Sequence, residues 1–460
     1  MSRDGRDLAV SNASPRATAA LDFLLEQWLS YGNRLGEFLP VADSDPDCPL
    51  VVMRALLPLS RETRQGYRDA APRLARARAM AGGMNERELL WLQALEAEHR
   101  DDMETVVAAY QALAERFPRD VLAVKIGQKH CFYLGDFDAM LRLSERTLDA
   151  NSDVSHVHGM RAFALEQCRR LEEAEDAGRL AASLSAEDPW AHHAVAHVME
   201  TQGRIDEGID WLRAHSPNWD RCNSFMYTHN WWHLALFLID ADRHDEALAL
   251  YDSRVWGVWK EFSQDQVNAV ALLARLELRG VDVGDRWTDV AAYLRPRLHE
   301  HVAPFLDLHY VLGLARTGER AAVTEMLASI EAHAQSVPEF LSRAWRDAAV
   351  PAAHGIAAHA AGDWAAAVDA LGAALPNLQT VGGSHAQRDL FEQIHLDALI
   401  RAGWNDKALK LLRQRDLARP GVAALKRGLA EIHARLGQAE AAAQYAASAR
   451  ELQRHQGAAR

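Results

Sequence analysis

A polar turn followed by small and apolar residues recurs along this chain at fixed intervals. Each copy has a Gly or polar residue, then an acidic residue, then a small or apolar residue that opens an amphipathic stretch. Its last residue falls every 34 positions, at Val106, Met140, Ala174 and Gly208. A period of this length is typical of a supersecondary unit made of two antiparallel helices. The pattern therefore predicts a chain of stacked helix pairs with almost no strand.

Small residues upstream of these positions support the same phase. Where the first helix of a pair packs closely on the second, a small side chain is favoured. The positions twelve residues before each turn are Ala94, Gln128, Ala162 and Ala196, of which three are small. Both features are typical of tetratricopeptide repeats (TPR). We therefore predict an all-α, TPR-like helical-repeat superhelix (an α-solenoid), for which a strongly curled or closed form is one alternative.

Later copies of the turn are spaced less regularly. They end at Ala247, Ala367, Ala408 and Ala442. The step from Gly208 to Ala247 is 39 residues and predicts an inserted loop at 213–228. We accordingly divide the chain into an N-terminal helical cap with a Pro-rich loop (1–85), TPR-like repeats (86–253), an irregular helical segment with one weak repeat (254–345) and C-terminal TPR-like repeats (346–460).

Composition adds expectations about compartment and partners. The 460 residues are 49% apolar and 25% charged, which excludes a disordered or fibrous chain. The net charge of −13 opposes binding to phosphate backbones, so we predict no nucleic-acid partner. No apolar run approaches the length of a membrane span, and none resembles a signal peptide. With four scattered cysteines, these features predict a cytoplasmic protein without a membrane partner.

Histidines are concentrated in one part of the chain, where eight of the 21 lie between residues 156 and 233. Two pairs have i, i+4 spacing, His193 with His197 and His229 with His233. On a helix this spacing places both rings on one face. In the repeat phase, both pairs fall on first helices, whose side chains line the concave groove of a TPR superhelix. We therefore expect four imidazoles, with Glu200 beside them, to converge on one channel wall.

Such a wall is compatible with several kinds of chemistry. Imidazoles with a carboxylate ligate divalent Zn, Fe or Ni, so His193, His197, His229 and His233 are candidate metal ligands. They also act as general acids and bases near neutral pH, or clamp a carboxylate when protonated. A zincin-type protease is disfavoured because the H-E-x-x-H signature is absent. The alternative is a purely structural role, in which these histidines only pack between helices.

A second candidate lies in VGGSHAQRDLFEQ, residues 381–393. Ser384 and Gln387 form a capping-box pattern that predicts a helix start. Exposed amides and the helix dipole favour an anion there. The candidate ligand-binding residues of this turn are His385, Arg388 and Asp389. An ordinary capped helix with a surface ion pair is the alternative.

A third candidate is the FLDLHY segment, in which Asp307 and His309 are two residues apart. We include both as components of the ligand site. No G-x-S-x-G nucleophile motif, P-loop or dinucleotide fingerprint occurs, so we expect none of those chemistries.

Three segments resemble the tetratricopeptide repeat protein 38 family, and the resemblance extends over nearly the whole chain. They are WAHHAVAHVMETQGRIDEGIDWL, HNWWHLALFLIDADRHDEALALYD and GGSHAQRDLFEQ. The resemblance implies an all-α, TPR-like cytosolic protein, and it brings no established catalytic residues. Its recurrent motifs coincide with both histidine pairs and with the turn at His385.

Together these patterns predict a TPR-like binding protein whose concave channel carries a His-lined pocket. Its ligand would be a small or carboxylate-bearing molecule, or a peptide or chain terminus. The first alternative is an enzyme that uses the same histidines, with or without a divalent metal cofactor. The second is a scaffold for protein partners. Both a binding role and catalysis are compatible with the sequence.

Overall fold

The computed structural model, which describes residues 2–60 and 63–458, is all-α. The described strands are two short segments, β1 (Ser2–Arg3) and β2 (Ala9–Val10), which pair antiparallel. Helices of mostly 11 to 17 residues follow one another with short turns between them. The predicted helical-repeat fold is confirmed.

Two compact units make up the chain. The first comprises Met1–Val195 and Asn218–Met226, and the second comprises Ala196–Pro217 and Tyr227–Arg460. The divisions fall inside two continuous helices, Pro189–Gln202 and Ser224–Asp240. Each unit is described below by itself.

The first unit begins with short helices and continues with regular helix pairs. Its helices are α1 (Pro15–Leu29), α2 (Phe38–Ser44), α3 (Pro49–Arg54), α4 (Leu56–Ser60), α5 (Arg64–Ala79), α6 (Glu86–Glu98), α7 (Met103–Arg116), α8 (Val121–Tyr133), α9 (Phe137–Leu148), α10 (Ser155–Gln167), α11 (Leu171–Leu184) and the start of α12 (Pro189–Gln202). Short 3-10 turns occur at Leu35–Glu37, Ala81–Gly83 and Asp149–Asn151.

The repeat period is visible in the helix starts. Helices α7, α9 and α11 begin at residues 103, 137 and 171, and α13 of the second unit (Ile205–His215) continues the series at 205. Ala94 and Ala162 are fully buried between the helices of their pairs, as the small-residue pattern predicts. At the exception, Gln128, the side chain is buried and its Nε2 donates to the carbonyl of Met140 at 2.8 Å.

Aspartates at helix starts explain why the pairs begin where they do. The side chains of Asp102, Asp120 and Asp136 accept hydrogen bonds from backbone amides in the first turns of α7, α8 and α9. This satisfies amides that the helix itself leaves without a carbonyl. The acidic residue of the recurring turn is therefore a helix cap in these units.

A buried ion pair joins the N-terminal helices to the repeats of the first unit. Arg54 Nη2 on α3 lies 3.1 Å from Asp120 Oδ1 at the start of α8. Trp91 Nε1 donates to the other oxygen of Asp120 at 2.8 Å. Because both charged side chains are almost fully buried, loss of Asp120 would leave the guanidinium of Arg54 in the interior without its paired carboxylate.

The second unit contains the remaining helices. They are the end of α12, α13 (Ile205–His215), α14 (Ser224–Asp240, from Tyr227 onward), α15 (His244–Leu250), α16 (Ser263–Leu278), α17 (Arg286–Leu294), α18 (Pro304–Arg316), α19 (Arg320–Ser336), α20 (Glu339–Ser342), α21 (Val350–Ala360), α22 (Trp364–Ala374), α23 (His385–Arg401), α24 (Asn405–Ala418), α25 (Ala423–Arg435) and α26 (Ala439–Ala458). π-helical turns occur at Tyr251–Val255 and Arg343–Ala349, and 3-10 turns at Ser216–Asn218, Arg295–Arg297 and Leu375–Val381.

Helix α16 lies at the centre of the second unit, with every residue from Ser263 to Leu276 buried. It packs against α18 and α23. None of the helices in the described part of the chain combines the length and the apolar composition that a membrane crossing requires.

Candidate functional site

Helix α12 carries the first set of site residues. His197 and Glu200 lie near its end in the second unit, and both side chains are buried. His193 precedes His197 by one turn on the same helix, so both imidazoles lie on one helix face.

Helix α14 brings the second pair against His197. The ring centroids of His197 and His233 are 4.5 Å apart, and those of His229 and His233 are 4.8 Å apart. One nitrogen from each of these three residues lies within 4.8 Å of those of the other two. All three side chains are at most 3% exposed. We call His197, Glu200, His229 and His233 the histidine cluster.

Glu200 adds a carboxylate to the cluster. Its Oε2 lies 3.4 Å from His233 Nδ1, and this oxygen accepts no hydrogen bond from the described residues. Burial raises the pKa of Glu200 to about 8, while Arg419 opposes that shift and Asp240 adds to it. At neutral pH the side chain is therefore largely protonated.

Burial also sets the charge state of the imidazoles. Loss of hydration lowers the pKa of His229 to about 4, although a hydrogen bond from its ring to Asn268 acts in the opposite direction. Burial lowers the pKa of His197 and of His233 as well, and neighbouring imidazoles add to both shifts. All three rings are therefore neutral at pH 7, the form in which imidazole has a lone pair for a ligand.

A polar face of α16 orients the cluster. Asn268 Nδ2 donates to Thr228 Oγ1 at 3.2 Å, which leaves Asn268 Oδ1 as the acceptor for His229 Nδ1 at 2.9 Å. Thr228 Oγ1 in turn donates to Asp265 Oδ1 at 3.2 Å. With Nδ1 as the donor, His229 presents Nε2 as its lone-pair nitrogen.

Sequence reasoning missed this face of α16. Asp265, Asn268 and Arg275 lie three and then seven residues apart, which places them on one side of the helix. Polar residues that recur at helical spacing inside the segment VNAVALLARLEL were the signal that could have identified them. Arg275 also lies over the ring of Trp232 on α14, 5.4 Å from its centroid.

The start of α23 has the predicted capping box. The Ser384 side chain accepts from the Gln387 amide, and Gln387 Oε1 accepts from the Ser384 amide. His385 lies near enough to His197 to contribute to the lowered pKa of His197. Arg388 donates to the Gly383 carbonyl and to His385 Nδ1, so its guanidinium is used to hold the turn that precedes the helix.

Asp389 belongs to an ion-pair network with arginines of the second unit. Its Oδ1 lies 2.5 Å from Arg415 Nη1. Although burial acts to raise it, Arg415 holds the pKa of Asp389 below its usual value. Arg419 is paired with Asp240 in the same way, and Arg275 donates to the backbone carbonyl of Ala386 at 2.5 Å. The predicted anion-binding residues are thus engaged with groups of the protein itself.

Asp307 and His309 do not pair with each other. Asp307 Oδ2 lies 2.6 Å from His301 Nδ1. His309 Nδ1 donates to the Phe305 carbonyl at 2.8 Å and its ring packs against Phe391 of α23. Residues two apart on a helix point to different sides, which explains why the two side chains separate.

In the first unit His193 lies among aromatic rings. Its centroid is 4.4 Å from that of Trp190, with the rings stacked, and 5.1 Å from that of Phe163. Trp190 also contacts Lys125, whose ammonium lies 4.2 Å from the Trp190 ring centroid. These contacts fix the plane of the His193 ring by packing.

Comparisons with known proteins add little about identity. No family model matches the chain. Solved structures with a similar helical trace include a human IFIT1 dimer with PPP-AAAA and a human IFIT1 dimer with m7Gppp-AAAA. Both are 12% identical with a TM-score of 0.41, over 85% of this chain and 87% of the other. A monomeric IFIT1 mutant with Gppp-AAAA is 13% identical with a TM-score of 0.38, over 88% and 89%.

These matches contradict one prediction made from composition. Nucleic acid was excluded as a partner because of the net charge of −13, yet the matching structures are described with nucleic-acid ligands. The net charge is a sum over the whole chain and gives no information about the charge at one surface. The exclusion is therefore wrong. On the period of its own helices, the chain is a TPR-like helical-repeat protein.

Proposed function

We propose that this TPR-like protein is a binding protein whose histidine cluster holds a divalent transition-metal ion and, through it, a small carboxylate-bearing ligand. The observation that carries the proposal is that three buried imidazoles and one buried carboxylate lie together. One nitrogen of each imidazole lies within 4.8 Å of one nitrogen of each of the other two. Imidazole clusters of this density are unusual in an interior, since a satisfied packing histidine needs no imidazole neighbours.

The donor set decides the kind of ion. Nitrogen ligands with one carboxylate favour Zn²⁺, Fe²⁺ or Ni²⁺ over Mg²⁺ or Ca²⁺, which prefer oxygen. A tetrahedral ion with bonds of about 2.0–2.1 Å brings its ligand atoms to about 3.4 Å from one another, so the rings need only small movements. Asn268 Oδ1 accepts from His229 Nδ1 and would hold the ring so that Nε2 is the nitrogen that binds the ion.

The ligand class follows from the charge around the cluster. A dication held by neutral imidazoles carries excess positive charge, and Arg275 and Arg419 lie close enough to Glu200 to influence its pKa. An anion that coordinates the ion through a carboxylate would be stabilised by both. A short carboxylic acid or a peptide C-terminus has this chemistry.

Metal binding is the decisive test. The chain would be stripped with a chelator and titrated with Zn²⁺, Ni²⁺ and Co²⁺ by calorimetry, with visible absorption of Co²⁺ as a report on geometry. We expect one ion per chain. His233→Gln and His197→Gln should each weaken binding at least tenfold, and Asn268→Ala should weaken it roughly tenfold because the orienting acceptor is lost.

His395→Gln is the matched control, since His395 is also a buried histidine of the second unit but lies outside the cluster. Its metal affinity should equal that of the unaltered protein. The metal site would be refuted if the His233 and His395 variants bound the metal ion with equal affinity. It would also be refuted if the unaltered chain bound no ion at micromolar concentrations. Acetate and a dipeptide would then be titrated into the loaded protein to test the carboxylate ligand.

A catalytic role for the same cluster is the second candidate. It is favoured by Glu200, whose pKa of about 8 and proximity to His233 suit a general acid or base near neutral pH. Turnover of a substrate by the metal-loaded protein that is lost in Glu200→Gln, with metal affinity retained, would support this role over binding alone.

We also infer that the chain belongs to the tetratricopeptide repeat protein 38 family and works in the cytoplasm. The motifs AHHAVAHV, HNWWHLAL and GGSHAQRD support the first inference. The four free cysteines support the second, because disulfides are rare in a reducing compartment. Fractionation of cells that express the tagged chain would test the location.

A further inference from the structure

A second group of polar residues lies in the second unit, apart from the histidine cluster in sequence. Ser329 Oγ is 2.7 Å from His301 Nε2, and His301 Nδ1 is 2.6 Å from Asp307 Oδ2. Serine, imidazole and carboxylate are therefore joined in one line of two hydrogen bonds. The proposal for the histidine cluster uses none of these three residues.

The elements of the fold hold this line in place. Asp307 is in the first turn of α18, His301 is in the segment just before that helix, and Ser329 is in α19. His301 has a positive φ of 45°, a backbone conformation that is costly for a residue with a Cβ. Its ring stacks on that of His333, with centroids 4.9 Å apart.

The side chains become more exposed from the carboxylate of Asp307, through His301, to the hydroxyl of Ser329. Asp307 is fully buried, His301 is 7% exposed, and Ser329 is half-buried at the surface of α19. A nucleophile that solvent and substrate can reach, supported by a buried carboxylate, is the arrangement that serine hydrolases require.

The hydrogen bonds define where each proton lies. A carboxylate only accepts, so Asp307 fixes the proton of His301 on Nδ1. His301 Nε2 is then the acceptor that faces the hydroxyl of Ser329. This tautomer is the one in which an imidazole can remove the serine proton.

A second imidazole stands beside the hydroxyl. His299 Nδ1 lies 2.8 Å from Ser329 Oγ, and its Nε2 lies 2.9 Å from Glu325 Oε1. The carboxylate of Glu325 only accepts, so the proton of His299 lies on Nε2, and Nδ1 is a second acceptor that faces the hydroxyl of Ser329.

We propose that Ser329, His301 and Asp307 form a catalytic triad that hydrolyses small, activated acyl esters. Ser329 Oγ attacks the ester carbon and forms the C–O bond while its proton moves to His301 Nε2. That proton then passes to the leaving alcohol as the original ester bond breaks. Water repeats the sequence on the acyl-serine and releases the acid, so no oxidant or other co-reactant is needed.

Asp307 is a positioning residue in this proposal because it acts through His301. Ser329 lies inside a helix and not on a G-x-S-x-G turn, so no nucleophile motif marks it in the sequence. Had the three residues served only to attach the segment before α18 to α19, the hydroxyl would have no enhanced reactivity.

Covalent labelling measures that reactivity directly. The full chain would be treated with a fluorophosphonate probe at pH 8, and the modified peptide would be identified by mass spectrometry. We expect the adduct on Ser329, and hydrolysis of p-nitrophenyl acetate above the rate of buffer. Ser329→Ala should abolish both, whereas His301→Gln and Asp307→Asn should lower the labelling rate at least tenfold.

Ser336→Ala is the matched control, because Ser336 is a serine of the same helix whose hydroxyl donates to the His333 carbonyl. This variant should react like the unaltered chain. A chelator should change neither the labelling nor the hydrolysis, which separates this site from the histidine cluster. An unaltered chain without an adduct at Ser329, or a folded His301→Gln variant labelled at the full rate, would overturn the proposal.

Discussion

Lys125 is the most unusual single residue of the first unit. It is 8% exposed, and its ammonium lies 4.4 Å and 4.2 Å from the ring centroids of Tyr31 and Trp190. Within the described part of the chain it makes no hydrogen bond or ion pair. Burial lowers its pKa to about 7, and the more distant Asp188 only partly opposes the shift.

We predict that Lys125→Met stabilises the protein most at acidic pH. In the unfolded chain the lysine pKa is about 10.4, so between pH 7 and pH 10 the unfolded state binds more protons than the folded state. The stability of the unaltered chain should therefore rise with pH in that window. Removing the amine should add about 2–4 kcal/mol to the free energy of unfolding at pH 6, less at pH 9.

Urea denaturation at pH 6, 7.5 and 9 would measure this effect. Lys129→Met, one turn along the same helix at a half-buried position, is the control and should shift stability by less than about 0.5 kcal/mol. A Lys125→Met variant that is less stable than the unaltered chain at pH 6 would show that the cation–π contacts outweigh the burial of charge.

The sequence identified candidate residues better than it identified their partners. Spacing of four placed His229 and His233 correctly on one helix face, because helical geometry alone determines that relation. The sequence placed Asp307 and His309 together in one candidate site, but the hydrogen-bond partner of Asp307 is His301 in the preceding segment. Contacts between a helix and a loop depend on backbone dihedrals that no periodicity encodes.

At the scale of helix pairs, the repeat phase was predictable and its exceptions were not. Ala94 and Ala162 occupy the expected close contacts. In the unit with Gln128, the Gln128 side chain reaches the carbonyl of Met140 on α9. The adjacent Gly127 lies against a different helix, α7, where an added Cβ would be 2.8 Å from the Cβ of Tyr110. The small residue of this unit therefore serves a contact that the 34-residue phase does not describe.

Gly208 is predicted to be essential for the packing of α13 against α14. A Cβ at this position would lie 2.2 Å from Phe237 Cζ, so Gly208→Ala forces the buried ring to move. The free-energy cost of overpacking should exceed the gain in helix propensity that alanine brings. The free energy of unfolding should therefore fall by about 1–3 kcal/mol. Thermal and urea denaturation would measure the loss.

Gly82→Ala is the control for that substitution, since no atom lies within 4 Å of an added Cβ there. Its stability should stay within about 0.5 kcal/mol of the unaltered chain. In a Phe237→Leu background the smaller side chain frees the space beside Gly208, so Gly208→Ala should lower the free energy of unfolding by less than it does beside Phe237. An equal loss in both backgrounds would show that the proposed clash is wrong.

For the whole molecule, the sequence predicted the class of fold through one number, the 34-residue period. A repeat unit contacts mainly its neighbours, so local spacing is enough to define the architecture. Composition was a poorer guide to partners, as the failed exclusion of nucleic acid shows. The division into two compact units, inside the helices Pro189–Gln202 and Ser224–Asp240, has no counterpart in the sequence pattern.

Stability within the second unit should follow burial. Helix α16 is buried from Ser263 to Leu276, whereas the described side chains of α26 include only one buried residue, Ala449. A helix with little buried apolar surface opens locally at low cost, and a central helix opens only when its unit unfolds.

Hydrogen–deuterium exchange with peptide resolution should therefore show a steep difference between these two helices. We expect amides of α26 to exchange within minutes at pH 7, and those of α16 at least roughly 100-fold more slowly after correction for intrinsic rates. Binding of Zn²⁺ to the histidine cluster should slow exchange in α14 and α16, which Asn268 connects, and leave α26 unchanged. Equal protection of α16 and α26 would mean that the second unit unfolds as one cooperative block, so that burial does not determine local stability there.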